Sequence, residues 1–85
     1  TKTEQSLIFA YYDAHAEAML IQQEIDEQWE PEIARVKKPY QEFAYKMKWG
    51  CIQRRGAYLH IMRTIEETLK IRFNDENYLE VVLNE

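Results

Sequence analysis

Apolar residues in the first third of the chain fall on a single stripe. Leu7, Tyr11, Ala14, Ala18, Ile21 and Ile25 recur at alternating steps of four and three, the spacing that stacks side chains along one face of an α-helix. Ile8, Tyr12, Met19 and Trp29 widen the stripe, while Gln, Glu and Ala fill the other faces. The pattern predicts a long helix over residues 1–29, capped by Thr1 or Thr3, with Glu4 near its positive end. Ala14 and Ala18 are small, so another helix can come close there. Pro31 suits the first position of a second helix, which carries Ile33, Val36, Tyr40, Phe43 and Met47 at three-four spacing. Pro39 lies inside it, removes a backbone donor and constrains Lys38, so a kink or a restart is expected there. A third helix follows from Tyr58, Met62, Ile65, Leu69 and Phe73. Gly50 and Gly56 precede it, and each costs about 1 kcal/mol in a helix relative to Ala, which predicts a break near one of them. Asn74-Asp75-Glu76-Asn77 ends the third segment, and the tail Tyr78–Leu83 is too short to assign.

A second pattern competes between Phe43 and Ile61. Phe43, Tyr45, Met47, Trp49 and Cys51 also alternate with period two, opposite Lys46 and Lys48, and Gln53-Arg54-Arg55-Gly56 has the composition of a hairpin turn. This alternative is an α+β fold with a β-hairpin at 43–61, followed by a helix capped by Thr64 and Glu67. The helical reading is preferred because helical seams flank the ambiguous stretch on both sides. The expected fold is therefore all-α: one domain over 1–85, with a long N-terminal helix packed in a hairpin-like bundle against a kinked second and a third helix. No repeat or flexible linker marks a second domain.

Size changes the picture next. A chain of 85 residues buries only about 60–65% of its unfolded surface, yet 46% of its residues are hydrophobic and 13% aromatic. That surplus predicts a homo-oligomer, with Leu7, Tyr11, Ala14, Ala18, Ile21 and Ile25 as the oligomer interface. Cys51 is the only cysteine, which rules out an intrachain disulfide and a multi-cysteine zinc site and suits a reducing compartment. No apolar run approaches the roughly 20 residues that cross a bilayer, and no signal-peptide pattern opens the chain. The expectation is a soluble protein of the cytoplasm, or of the host cytoplasm if viral, with no membrane partner.

Charge is sorted along the length. Residues 1–34 hold eight acids against Lys2, residues 35–63 hold eight bases against Glu42, and residues 64–85 hold six acids against Lys70 and Arg72. The net −4 thus conceals a basic middle between acidic ends. Aromatic rings are threaded through that middle. Arg35, Lys38, Lys46, Lys48, Trp49, Arg54, Arg55 and Tyr58 are the candidate ligand-binding residues, since forked guanidinium donors fit phosphate oxygens and rings stack on bases. The same pattern arises if the acids of the first helix, Glu17, Glu24, Asp26, Glu27 and Glu30, fold back to neutralise these cations.

Catalytic and metal chemistry find little support. His15 lies between Asp13 and Glu17, but residues two apart on a helix point to different faces. His60 has only Thr64 and Glu67 at useful spacing, and Cys51 has no histidine at a predictable position to activate it. Asp13, Glu17 and Glu24 share a face that reads as solvated carboxylates. The expected function is therefore a non-enzymatic helical binding module without a cofactor: a regulatory or inhibitory protein–protein interaction protein acting as an oligomer. The alternative is a polyanion binder, for single-stranded nucleic acid or a phosphorylated nucleotide, through the basic-aromatic segment 35–63.

Overall fold

The computed structural model describes residues 1–71 and residue 73. Among them every regular element is helical: α1 spans Lys2–Glu24, a π-helical turn spans Ile25–Trp29, α2 spans Glu30–Arg35 and α3 spans Lys38–Leu69. The β-hairpin alternative at 43–61 is therefore overturned. Thr1 caps α1 through its hydroxyl, which accepts from the Glu4 amide at 3.2 Å, and Glu4 accepts from the N-terminal ammonium at 3.3 Å. These two bonds close a reciprocal capping box.

The first helical segment does not stop at Pro31. Its core positions after Ala18 are Ile21, Ile25, Trp29 and Ile33, three successive steps of four. At about 100° per residue each such step overshoots a full turn by about 40°, so a plain α-helix would rotate the stripe off its partner. The wider π-turn takes up that drift. It also ends one residue short of Pro31, whose missing N–H and bulky ring conflict with ordinary α-helical bonding to the previous turn. The Glu30 amide bonds back five residues to the Ile25 carbonyl, and both Ile25 and Trp29 remain buried.

Val36 and Lys37 are extended, and they alone separate α2 from α3. Pro39 lies in the first turn of α3, where its missing donor is harmless. Gln41 fastens the closed end by donating from Nε2 to the Ile33 carbonyl at 2.8 Å. From Lys38 to Leu69 α3 runs for 32 residues, straight through Gly50 and Gly56. The break expected near those glycines is absent, and the second and third segments of the sequence reading are largely one helix. Neither glycine has positive φ, and a Cβ on either would meet no atom within 4 Å. Their cost is thus one of propensity alone, which the packing on either side outweighs.

α1 and α3 lie antiparallel, in a body of 54 × 20 × 16 Å. Tyr11, Ala14 and Ala18 pack with Leu59, Met62 and Ile65 toward the open end. Ile21, Ile25 and Trp29 pack with Ala44 and Cys51 toward the closed end. The stripe assigned to an oligomer interface is thus covered by the chain's own α3: Tyr11, Ala14, Ala18, Ile21 and Ile25 are buried and Leu7 is half-buried against them. One polypeptide supplies both sides of that seam. Lys70 adopts the left-handed conformation that ends α3. The chain then returns to α1, with the Phe73 ring stacked on Tyr11 at 3.7 Å between centroids and edge-on to Tyr12 at 5.6 Å. Buried Glu66 accepts from the Phe73 amide at 3.2 Å and holds this return in place. The expected boundary at Asn74–Asn77 and the tail Tyr78–Leu83 lie outside the described residues.

Candidate functional site

The antiparallel pairing brings the acidic first helix against the basic segment, and individual partners follow from the register. Glu24 faces Cys51 and Arg54, Glu30 faces Lys48, and Gln22 faces Arg55. Lys48 forms an ion pair with Glu30. Arg55 is 5% exposed and donates from Nη1 to the Gln22 side-chain oxygen. Arg54 lies 3.7 Å from Glu24 and donates to the Cys51 sulfur at 3.2 Å. Two further cations are held within their own helices, Arg35 by Glu32 at 2.7 Å and Lys46 by Glu42 at 3.5 Å.

The candidate ligand-binding residues are therefore only partly brought together. Lys48, Trp49 and Arg55 line one shallow groove with Tyr45 and Ile52. Arg54 is on the other side of α3 with Glu24, and Tyr58 is half-buried against the core. Arg35 ends α2, while Lys38 and Lys46 are exposed on α3. No continuous open patch collects the eight.

Glu24 is the centre of a compact polar cluster. Its Oε2 accepts from the Trp29 indole at 2.8 Å and from the Cys51 thiol at 3.1 Å. The indole bond, the thiol bond and the Arg54 charge together hold the Glu24 carboxyl below the usual carboxylate range, against an opposing effect of burial. Burial pushes the Cys51 thiol up, and hydrogen bonding to Glu24 pushes it further, while Arg54 opposes the shift. Cys51 is 0% exposed, so the arrangement keeps a protonated, enclosed sulfur and has the chemistry of a packing element. His60 is exposed, and half-buried His15 stacks parallel to Tyr11 at 6.5 Å. Among the described residues no three His, Cys, Asp or Glu side chains converge as a metal site would require, and no helix is long and apolar enough to cross a membrane.

The feature that sequence reasoning underweighted is at the closed end. Tyr40 and Phe43 are 68% and 63% exposed. With Gln28, Trp29, Glu32, Val36 and Ala44 they line a groove, whose base is the buried Trp29 ring, set edge-on to Phe43 at 6.1 Å. In the sequence Tyr40 and Phe43 share a helical stripe with Ile33, Val36 and Met47. Their three-residue spacing gives no sign of exposure, because the same spacing marks a core face and an interface face equally. Comparison with protein-family models, curated proteins and solved structures yields no match to this chain.

Proposed function

We propose that this chain is a non-enzymatic helical interaction module whose partner is a protein, and that it acts as an oligomer. The observation that carries this reading is the fate of the basic segment: the cations that reach the first helical arm, Lys48, Arg54 and Arg55, are engaged by Glu30, Glu24 and Gln22 of the same chain. A polyanion would have to displace those partners, at the expense of the hairpin's own cross-helix contacts. Aromatic surface remains outward instead, above all at the closed-end groove of Tyr40, Phe43 and Val36. Aromatic anchors of this kind dominate the energetics of protein interfaces. Such a module regulates or inhibits by occupying a partner's surface.

Two measurements test the reading. Titration with labelled single-stranded oligonucleotides should show no saturable binding at low or moderate salt. Saturable, salt-sensitive binding that is weakened by Arg54→Ala would instead establish the polyanion function. In parallel, partners captured by the parent protein are compared with those captured by Phe43→Ser and by Arg54→Ala. A specific partner lost with Phe43→Ser and kept with Arg54→Ala is the expected result. A partner insensitive to Phe43 would remove the closed-end groove as the site.

A further inference from the structure

The floor of the groove of Tyr40 and Phe43 is a side chain held by residues outside that groove. Trp29 is 7% exposed, and a buried indole N–H needs an acceptor. Its acceptor is Glu24 Oε2 at 2.8 Å, and Glu24 does not line the groove. The bond spans five positions, which on a plain α-helix lie about 140° apart round the axis. Ordinary helix would point the two side chains apart. The π-turn at Ile25–Trp29 begins directly after Glu24, and its i to i+5 bonding brings the pair onto one side. Single π-turns of this kind recur at functional sites.

Glu24 is itself fixed from the other arm of the hairpin. The same Oε2 accepts from the Cys51 thiol at 3.1 Å, and Cys51 is fully enclosed on α3. Arg54 adds only a charge, from 3.7 Å and through a side chain that is 58% exposed. Beyond the indole N–H, the Trp29 ring is set edge-on to Phe43 at 6.1 Å. One line of contacts thus runs from the buried thiol through the carboxylate and the indole to an exposed aromatic of the groove. We propose that Glu24 is the positioning residue of the closed-end groove: pinned by Cys51, it aims the Trp29 ring and makes the shape of the groove depend on the pairing of the two arms. Without that acceptor the indole N–H is left unpaired, and the ring turns toward water and leaves its place beside Phe43. The groove is complete only where α1 and α3 are in register.

This inference rests on the groove being the binding site of the proposed function, and it states what controls that site. Nuclear magnetic resonance tests it on nitrogen-labelled parent, Glu24→Ala, Glu24→Gln and Trp29→Phe, the last of which identifies the Trp29 signal by its loss. In the parent the Trp29 indole proton should be protected from exchange, and the ring should show a nuclear Overhauser contact with Phe43. In Glu24→Ala the indole should exchange about tenfold faster, as expected for the loss of one hydrogen bond to a charged group, and the ring contact should vanish. Glu24→Gln keeps a carbonyl acceptor and should restore both. Free indole serves as the groove probe, followed at the methyl signals of Val36 and Ala44. Its affinity should fall by a similar factor in Glu24→Ala and Trp29→Phe and return in Glu24→Gln. A protected indole that keeps its Phe43 contact in Glu24→Ala overturns the assignment, and so does equal loss in Glu24→Gln, which would make the role of Glu24 merely structural. No saturable indole binding to the parent overturns the groove as a binding site, while exchange and ring contact still decide the role of Glu24. Circular dichroism checks that each variant keeps its helix. If Glu24→Ala does not, Trp29→Phe decides, since it removes the donor and leaves the acceptor, and unchanged probe affinity there overturns the proposal.

Discussion

At the scale of single residues, the cluster around Glu24 makes the sharpest predictions. Its carboxyl is held below its ordinary range first by the Trp29 indole, so the folded state binds this proton less readily than the unfolded chain. The resulting stability is present above the ordinary carboxylate pKa and is lost as pH falls through the depressed folded value. Trp29→Phe removes the indole donor and should weaken that dependence, seen as a flatter acid limb in the thermal midpoint between neutral pH and about pH 3. Cys51 gives the complementary case. A thiol with 0% exposure and a raised pKa should resist iodoacetamide at neutral pH and react readily once denaturant opens the hairpin. Equal rates in the two states would place the sulfur at the surface. The sequence made Cys51 legible as a small buried hydrophobe, because no activating histidine stood at helical spacing. It did not make Glu24 legible as that thiol's partner, since the two are 27 positions apart and only the antiparallel register joins them.

Among the elements, α1 was readable as a helix because its four-three spacing persists and its helix formers agree with it, but the π-turn at Ile25–Trp29 and the continuation through Pro31 were not. The stretch from Phe43 to Cys51 was ambiguous for a definite reason. Of the five residues that share a strand face, only Cys51 is buried in the structure, while Phe43, Tyr45, Met47 and Trp49 are spread over exposed sides of α3. The alternation was a coincidence of two outward-facing sets. Gly50 tests the continuity of α3: a Cβ there enters open space, so Gly50→Ala should stabilise the protein by about 0.5–1 kcal/mol. Loss of stability in denaturant melts would contradict a helical backbone at that point. Ala18 tests the closeness of the two helices. It is 0% exposed, and Ala18→Leu should cost about 1–3 kcal/mol by overpacking the contact with α3, measurable as a lowered midpoint with unchanged helical content.

For the whole molecule, the segregation of charge was visible in the sequence but its meaning was not. A basic middle between acidic ends fitted both an open polyanion groove and a hairpin closed on itself, and the choice depended on register. Register in turn depended on where the chain reverses. The reversal at Val36–Lys37 brings Glu30 to Lys48 and Glu24 to Arg54, which turns a charge run into a set of cross-helix partners. Being partly exposed, each such pair contributes at most about 1 kcal/mol and chiefly fixes alignment. The surplus of aromatic residues was likewise legible as a total, though not its distribution, because helical periodicity finds faces without saying what covers them.

That two-residue reversal also sets an order of events. Ile33 and Gln41 are eight positions apart, so the first cross-helix contact closes a very short loop at little entropic expense, and each later contact extends from one already formed. The chain should therefore zip from Gln41 outward, with the meeting of Tyr11 and Phe73 formed last, and should refold rapidly, as chains rich in local contacts do. Unzipping runs the other way. Amide hydrogens near Tyr11 and Leu69 should exchange with solvent sooner than those around Ile25 and Cys51, and a gradient of protection declining toward the open end would be the trace of that order.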